Sequence, residues 1–358
     1  MEHSLSTSNF KSGVSTNSES EARRFVRKVT FFLAPLFTLT VIPFFVLDPF
    51  QIVHPMHGCE VNYFDGHGIY PNVDHCATQK LLSEPEKNKF TSFVLGNSRA
   101  LGFRARDVAP YLGGKLPYFF AAPAESLFGL SKKIQFFDRT VPRLENLLLV
   151  LDRSVFWNLK NYTGRIFIKD PATSGESIFA FYGAYVHDYF SNLFYLKYLD
   201  FRVRGKFRPY MGDVVIEEWD QFDPVTNDWI KKKNEDELAR DPVGFYERRK
   251  ENFVRHPEYC KDANVPILDE PRIRILEEMG AILARHATKT KIVISPLYDQ
   301  CIFNTEDLAV LRRIFGAENV YDYSGVNAIT KDMTNYYEFE HYRPIVGREI
   351  LKAIYSRR

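Results

Sequence analysis

The sequence predicts an α/β protein: an open parallel sheet of about five strands with helices on both faces, behind an N-terminal transmembrane helix and with an inserted subdomain. Two observations predict this fold. Short apolar runs alternate with stretches of helical periodicity, which is typical of βαβ units, and a segment without charge lies near the N-terminus. The 358-residue chain is 45% hydrophobic and 26% charged, as expected of a globular protein rather than a disordered one.

Five apolar runs are predicted as strands, and most are continuously apolar because parallel strands are covered on both faces. They are residues 92–95, 116–120, 146–151, 291–295 and 319–321. Helical periodicity predicts helices at residues 104–112, 125–139, 271–287, 305–315 and 344–356. Thr305 resembles a capped helix start, and Pro344 suits a first helical turn.

The net charge of the chain belongs to its N-terminal tail. The sequence has 47 Lys and Arg against 45 Asp and Glu, and residues 1–28 hold five basic and three acidic groups, so the rest is neutral. This balance does not favour nucleic acid as a partner. Residues 29–47 carry no charge over 19 residues, nearly the length that crosses a hydrocarbon core.

The positive-inside rule gives this segment a direction. The basic tail is predicted to be cytoplasmic and the chain from residue 48 to be outside, as a single-pass protein of the inner (cytoplasmic) membrane with a periplasmic or extracellular domain. A cleaved signal peptide is a weaker alternative, because the apolar stretch is long and no A-x-A site follows it. A buried helix is weaker still, since the segment has no polar face.

The four cysteines all lie on the predicted outer side, where disulfides form. Proximity in sequence favours a bond between Cys59 and Cys76. A metal site is the alternative, because four histidines surround these two cysteines, but their spacing matches no common zinc module. These histidines are His54, His57, His67 and His75.

The predicted organisation has four parts: a disordered basic tail (1–28), a transmembrane helix (29–47), a Cys/His-rich linker (48–90) and an α/β domain (91–358) with an insertion (155–265). The insertion is rich in aromatic residues and then in charges. It is interpreted either as a subdomain that packs its own aromatic rings or as a cap whose rings stack on a sugar or an acyl chain.

Ser98 lies where the first predicted strand ends and a helical stretch begins. A serine at that position is exposed at the carboxyl end of the strand, and a nearby helix N-terminus provides N–H groups for developing negative charge. By itself this pattern also fits a helix cap or a turn.

His341 precedes the last helix at the same predicted rim, and Glu338 lies three residues before it, within reach of the imidazole. A base and an orienting carboxylate are what a serine nucleophile needs.

These two segments resemble the SGNH (GDSL-like) hydrolases and their O-acyltransferase relatives. Gly96-Asn97-Ser98-Arg99 resembles the Gly-Asp-Ser block of that family, and Glu338-Phe339-Glu340-His341 resembles its Asp-x-x-His block. Residues 340–347 are similar to the periplasmic, membrane-anchored branch that acts on envelope polysaccharides. The resemblance covers residues 90–153 and 270–358 and implies a flavodoxin-like sheet. It implies that Ser98 is the nucleophile, His341 the general base and then acid, and Glu338 the orienting group.

Two blocks of the family are altered in this sequence. No glycine follows the second strand until Gly129, and Asp152-Arg153-Ser154 stands where the family has an asparagine. These departures favour a transferase-like or altered oxyanion hole, or a protein without catalysis. The oxyanion and substrate-binding candidates are Asn97, Arg99, Ala124, Asp152 and Arg153. Asp299 is a further substrate-binding candidate, and structural salt bridges are the alternative role for these charged groups.

The leading hypothesis is a membrane-anchored, serine-dependent acyl (acetyl) transferase or esterase that acts on an envelope glycan through an acyl-Ser98 intermediate. The resemblance implies a possible membrane-bound partner that exports the acyl group. No cofactor or metal is expected. The alternatives are a non-catalytic glycan-binding or assembly protein on the same scaffold and, more weakly, a metal-dependent enzyme that uses the His-rich segment.

Overall fold

The structure is a computed structural model that describes residues 16–54, 66–83, 90–217 and 221–356. The chain divides into two compact units, one ending at Pro49 and the other beginning at Phe50. The helices are α1 Thr16–Leu47, α2 Val73–Ser83, α3 Ala105–Val108, α4 Leu127–Thr140, α5 Pro171–Ser174, α6 Ile178–Phe190, α7 Phe194–Arg204, α8 Lys232–Arg240, α9 Pro242–Arg248, α10 Glu270–Arg285, α11 Thr305–Phe315, α12 Ala328–Lys331 and α13 Pro344–Ser356. The strands are β1 His67–Gly68, β2 Ser92–Gly96, β3 Tyr118–Phe119, β4 Asn146–Leu151, β5 Ile216–Glu217, β6 Gln221–Phe222, β7 Trp229–Ile230, β8 Lys289–Ile294, β9 Val320–Asp322, β10 Tyr336–Glu338 and β11 His341–Tyr342.

The N-terminal helix is bent within the segment that was predicted as one transmembrane helix. No single helix in the described ranges is long and apolar enough to cross a membrane, but Ser20–Pro35 and Phe37–Leu47, bent by 47° relative to each other, pass that test together. Pro35 lies at the break, and a proline inside a helix removes one hydrogen bond and crowds the preceding turn. The membrane crossing itself remains a prediction.

The second unit contains a five-stranded sheet in the order β3-β2-β4-β8-β9. All four strand pairs are parallel. The α/β class and the five predicted strands are therefore confirmed. From β2 the chain continues to β3 on one side, while β4 lies on the other side of β2, so the order reverses between β2 and β4. In open parallel sheets, ligands bind beyond the carboxyl ends of the strands at such a reversal.

Several predicted boundaries shift by a few residues for local reasons. The helix predicted over 104–112 is α-helical only to Val108 and continues as a 3₁₀ turn that contains Pro110. The next helix begins at Leu127 rather than at residue 125, because Ser126 caps it by accepting a hydrogen bond from the N–H of Gly129. The helix at 305–315 agrees with the prediction, and Asn304 is its cap.

A hydrophobic core covers each face of the sheet. One core packs α4, α10 and α11 against the sheet, and the other packs α3 and α13 against the opposite face. The second core also contains Trp229, Leu238, Phe245 and Phe253 from the insertion. This part of the insertion is therefore a layer of the α/β domain. Neither core contains a residue of α6 or α7.

Residues 226–228 of the insertion cover the edge of the sheet. The N–H of Phe119 on β3 donates to the carbonyl of Thr226 at 2.8 Å, and Asn227 Nδ2 donates to the carbonyl of Phe119 at 3.1 Å. Both carboxylate oxygens of Asp228 accept from the N–H of Ala105 at 2.9 Å, which satisfies a donor at the start of α3. The insertion thus protects an edge strand that would otherwise be open to pairing.

We expect Asp228 to oppose stability as the pH rises. Burial raises the pKa of Asp228 to about 6, although the hydrogen bond from Ala105 opposes the shift. Because the folded state holds the proton more tightly than the unfolded chain, this group destabilises the protein progressively from about pH 4 to pH 6. Asp228→Asn should therefore gain stability relative to the parent over that interval, by at most about 3 kcal/mol for a shift of roughly two units.

The measurement is urea unfolding of the full chain in detergent at several pH values. Asp223→Asn is the matched control, because hydrogen bonds hold the pKa of Asp223 below its usual range even though burial opposes this. The Asp223 variant should instead lose stability relative to the parent as the pH rises toward about 4, the ordinary pKa of an aspartate. Equal pH profiles for the two variants would contradict this account of Asp228.

Candidate functional site

Ser98 lies in a tight turn at the carboxyl end of β2. Gly96 has a φ of 152°, and a Cβ there would lie 2.5 Å from the carbonyl oxygen of Val150, so only glycine allows β2 and β4 to approach this closely. The 3₁₀ turn Ser98–Gly102 follows, with Asn97 as its cap. Ser98 is 8% exposed, and its N–H begins the turn, where N–H groups have no partner within the turn.

A polar network joins the ends of β2 and β4. Asn97 Nδ2 donates to Asp152 at 2.6 Å and to the hydroxyl of Ser154 at 3.3 Å, while its Oδ1 accepts from the N–H of Arg99. Arg99 Nε lies 3.6 Å from the carboxylate of Asp152. Both amide protons of Asn97 are therefore engaged. In this conformation an oxyanion would be stabilised by backbone N–H groups rather than by the Asn97 side chain.

His341 and Glu338 lie on the antiparallel pair β10 and β11. The Nδ1 atom of His341 is hydrogen-bonded to Glu338, whose other oxygen accepts from the N–H of Glu340 at 2.7 Å. Burial alone would raise the pKa of Glu338, but the hydrogen bond and charge of His341 outweigh it and hold this pKa below its usual range. An ionised Glu338 fixes the proton on Nδ1 and leaves Nε2 as an acceptor.

The structure brings the Ser98 and His341 segments together. Strand β11 packs against the Ser98–Gly102 turn. The ring of Tyr342 occupies the space that a Cβ on Gly102 would need, at 2.3 Å from its ideal position. Arg99 Nη2 lies 3.4 Å from Glu340, so the residues beside Ser98 and beside His341 are paired.

Ser98 and His341 are not hydrogen-bonded to each other in this structure. Within the part of the chain that the structure describes, the Ser98 hydroxyl makes no hydrogen bond to the His341 ring. Such bonds are often long without substrate and shorten in the reacting complex. The catalytic roles of Ser98, His341 and Glu338 therefore remain predictions.

A cavity of about 490 Å³ is lined by the sequence neighbours Arg99, Phe339 and Glu340, whereas Ser98, Glu338 and His341 are not among its lining residues. Four predicted site residues line it, together with Asp299 and Glu340. The four are Arg99, Ala124, Asp152 and Arg153. Trp157, Tyr162, Tyr259 and Phe339 contribute aromatic rings to its wall. Of these rings, Trp157, Tyr162 and Tyr259 belong to the insertion, whereas buried rings of α6 and α7, such as Phe181 with Tyr185 and Tyr189 with Phe194, pack on one another.

Each charged wall residue has a structural partner. Arg153 Nη1 donates to the carbonyl of Val265 at 2.9 Å, and Asp299 accepts from the N–H of His256 at 2.6 Å. Burial raises the pKa of Asp299. These contacts tie the end of the insertion to the sheet. Arg153 and Asp299 still line the cavity, so their other polar atoms are available to it.

Ala124 has the backbone conformation of a glycine. Its φ of 49° lies in the left-handed region, which is uncommon for residues other than glycine. The backbone of this loop therefore has the positive φ that glycine favours, although the residue at this position is alanine. The sequence offered no signal for this conformation. The sequence also did not indicate that Glu340 and Tyr162 line the cavity, because the contacts that place them there join segments that are far apart along the chain.

One disulfide forms part of the cavity wall. Cys260 and Cys301 are bonded, which confirms disulfide formation for this pair and ties the end of the insertion to the loop after β8. The predicted Cys59–Cys76 bond includes Cys59, and the metal alternative includes His57; both residues lie outside the described ranges. Of the other histidines, His75 Nδ1 lies 2.5 Å from Asp170, and His67 stacks on Phe207.

Glu338, Glu340 and His341 present potential metal ligands within 4.8 Å of one another. Glu340 is paired with Arg99, and Glu338 is paired with His341. Neither the protein-family models nor the curated proteins contain a match to this chain. The resemblance to SGNH hydrolases therefore depends on the residues of this site alone.

Proposed function

We propose that this chain is a serine-dependent acyltransferase or esterase of the SGNH type, which acts on ester groups of an envelope polysaccharide. The observation that carries the proposal is the His341–Glu338 pair packed beside the Ser98 turn, at the point where the strand order reverses. Nucleophilic catalysis at this place needs three side chains, which are the nucleophile, the base and the carboxylate that orients the base.

The reaction uses two displacements at the acyl carbon. His341 Nε2 takes the proton of the Ser98 hydroxyl while Oγ bonds to the carbonyl carbon of the donor ester. The carbon–oxygen bond to the leaving alcohol then breaks, and that alcohol receives the proton from Nε2. A glycan hydroxyl or water next gives its proton to Nε2 and attacks acyl-Ser98, and the proton returns to Oγ. The N–H of Ser98 stabilises the oxyanion in both steps.

The character of the cavity supports a sugar as the acyl acceptor or donor. Aromatic rings from Trp157, Tyr162 and Tyr259 offer flat apolar surfaces, and Arg153 and Asp299 offer polar groups at the same wall. Pockets for small polar ligands combine such surfaces with a few directed polar groups. The uncharged segment 29–47 supports a membrane-anchored protein whose domain lies outside, where a membrane-bound exporter of acyl groups would be a neighbour.

A fluorophosphonate probe tests the nucleophile. We expect the full chain in detergent to gain one covalent adduct on Ser98, located by peptide mass mapping, and Ser98→Ala to gain none. Ser154→Ala is the matched control, because this second serine at the same rim donates to Asp152 and should leave labelling unchanged. Labelling that survives Ser98→Ala, or an absence of labelling in the parent, would reject the proposal.

The engagement of both Asn97 amide protons favours one alternative, a glycan-binding or assembly protein that has lost catalysis. That protein would bind envelope polysaccharide without reacting with the probe. Saturable polysaccharide binding by an unlabelled parent protein, with Trp157→Ala weakening the binding, would support this alternative over the enzyme.

A further inference from the structure

The helices α6 and α7 form a hairpin with an exposed apolar side. On α6 the exposed residues Ile178, Tyr182, Val186 and Phe190 recur every four positions, so they form one stripe. Phe179 beside them is 86% exposed, more than any other large apolar side chain in the described ranges. Leu193 and Leu196 continue the apolar surface into α7. We call Ile178, Phe179, Tyr182, Val186, Phe190 and Leu193 the hairpin apolar face.

The buried side of the hairpin holds the chain that follows α1. Phe50 is 4% exposed, with its ring centroid 4.7 Å from that of Phe194 and 5.6 Å from that of Tyr185. The guanidinium of Arg165 lies 4.7 Å from the Phe50 ring, and the hydroxyl of Tyr182 donates to the carbonyl of Ile52 at 3.5 Å. The hairpin is therefore fixed to residues 50–52, and its own core does not need the exposed face.

Chain connectivity limits how far Phe50 can lie from the end of the apolar segment. Phe50 follows Leu47 by three residues, which span at most about 11 Å of extended chain. If residues 29–47 cross the membrane, then Phe50 and the helices around it lie at the membrane surface. This step rests on the membrane anchor of the proposed function, but not on the serine chemistry.

Basic residues lie at the carboxyl end of the same hairpin. Arg202, Arg204, Lys206 and Arg208 are exposed at and just beyond the end of α7. Asp200 is the acidic residue among them, at 2.6 Å from Arg204 and 3.9 Å from Arg208. An apolar stripe with neighbouring cations is typical of helices that lie in the membrane interface and bind anionic lipid headgroups.

We propose that the hairpin apolar face inserts into the headgroup region of a lipid bilayer that contains anionic lipids. The occupant of this face is then the lipid surface rather than a second protein. The hairpin would act with α1 as a second membrane contact and would hold the α/β domain against the bilayer. A single anchor leaves a domain free to rotate, whereas two contacts restrict its orientation.

Quenching of tryptophan fluorescence by brominated lipid tests this inference. The full chain is reconstituted alone into vesicles of phosphatidylcholine and phosphatidylglycerol, brominated in the upper or the lower half of the acyl chains. Phe179→Trp reports on the hairpin, Phe37→Trp on the apolar segment of α1, and Val243→Trp on an exposed site of α9, which is 67% exposed in the parent. The signal of the parent, with its three tryptophans, is subtracted.

We expect the tryptophan at 179 to be quenched most by bromine in the upper half of the chains, since interfacial helices insert about 5–10 Å, and the tryptophan at 37, in the middle of the apolar segment, to be quenched most by bromine in the lower half. The tryptophan at 243 should be unaffected, and replacing phosphatidylglycerol by phosphatidylcholine should weaken quenching at 179. Quenching at 37 but not at 179 would overturn this inference while leaving the membrane anchor intact, and would point to a protein partner. Quenching at neither position would overturn both.

Discussion

Replacing Glu338 by glutamine is expected to lower kcat for ester hydrolysis or acyl transfer by about 10²- to 10⁴-fold, with little change in KM. Glu338 accepts the hydrogen bond from His341 Nδ1, and its lowered pKa keeps it ionised. A neutral amide can donate its own proton to Nδ1, which favours the wrong tautomer and leaves Nε2 protonated. The imidazolium that forms after proton transfer would also lose its counter-charge.

Glu340→Gln is the control for this prediction. Glu340 lies two residues away and is 3.4 Å from Arg99, but its side chain makes no hydrogen bond to His341 among the contacts of the described chain. Its replacement should change kcat by less than about tenfold. The measurement is steady-state kinetics on an aryl acetate with full chain in detergent. If Glu340→Gln costs as much activity as Glu338→Gln, the assignment of Glu338 as the orienting carboxylate is wrong.

Lys133→Met is expected to destabilise the folded domain by about 3–5 kcal/mol. Lys133 is fully buried and lies 2.5 Å from Glu125 and 2.9 Å from Asp74. Lys169 lies 2.7 Å from Glu125 and 3.4 Å from Asp74, so two cations and two anions balance one another in the interior. Removal of one cation leaves an uncompensated negative charge in the interior, and its desolvation is what makes the change costly.

Lys132→Met is the control for the charge cluster, because Lys132 precedes Lys133 on α4 but is only partly buried and lies over the ring of Phe128. It should cost less than about 1 kcal/mol. Urea unfolding in detergent measures both variants. The double variant Lys133→Met with Glu125→Gln should recover part of the loss, because it restores charge balance. Equal effects of the two single lysine variants would show that the buried cluster contributes nothing.

The pH range over which this cluster stabilises the fold follows from two shifted groups. Burial alone would raise the pKa of Asp74, but Lys133 and Lys169 hold it far below its usual range. Burial alone would lower the pKa of Lys169, but Asp74 and Glu125 raise it. The Asp74 contribution is therefore present above about pH 4 and is lost on acidification, and the Lys169 contribution is present below about pH 10 and is lost as the pH rises.

The cluster also bears on the site, because Glu125 follows Ala124 in the cavity wall. Lys169 comes from the insertion and Asp74 from α2, so both segments fix the loop in which Ala124 is left-handed. No pattern in the sequence predicts this arrangement. Lysines and acidic residues that are far apart in the sequence are typical of solvated surface groups. Only the tertiary structure, which brings them together behind the cavity, shows that they are paired.

Much of the sheet could be predicted because its signals are local. Runs such as 146–151 are apolar without interruption, and the helices between them have the 3.6-residue period, so the elements and their parallel pairing follow from short stretches of chain. The spacing of Glu338 and His341 is also local, and their hydrogen bond is present. The bend near Pro35 does not follow from the hydropathy of 29–47, because hydropathy reports composition and not backbone direction.

The sequence by itself determined the α/β class, the five strands, the rim on which Ser98 and His341 lie, and the uncharged segment near the N-terminus. The tertiary structure decided which groups meet there: Asp152 with Asn97, Arg99 with Glu340, Cys260 with Cys301, and a buried cluster joined by Lys169 from the insertion. It also left the face of α6 uncovered. Periodicity and composition describe a residue's near neighbours along the chain, whereas these contacts depend on how segments far apart in sequence pack against the sheet.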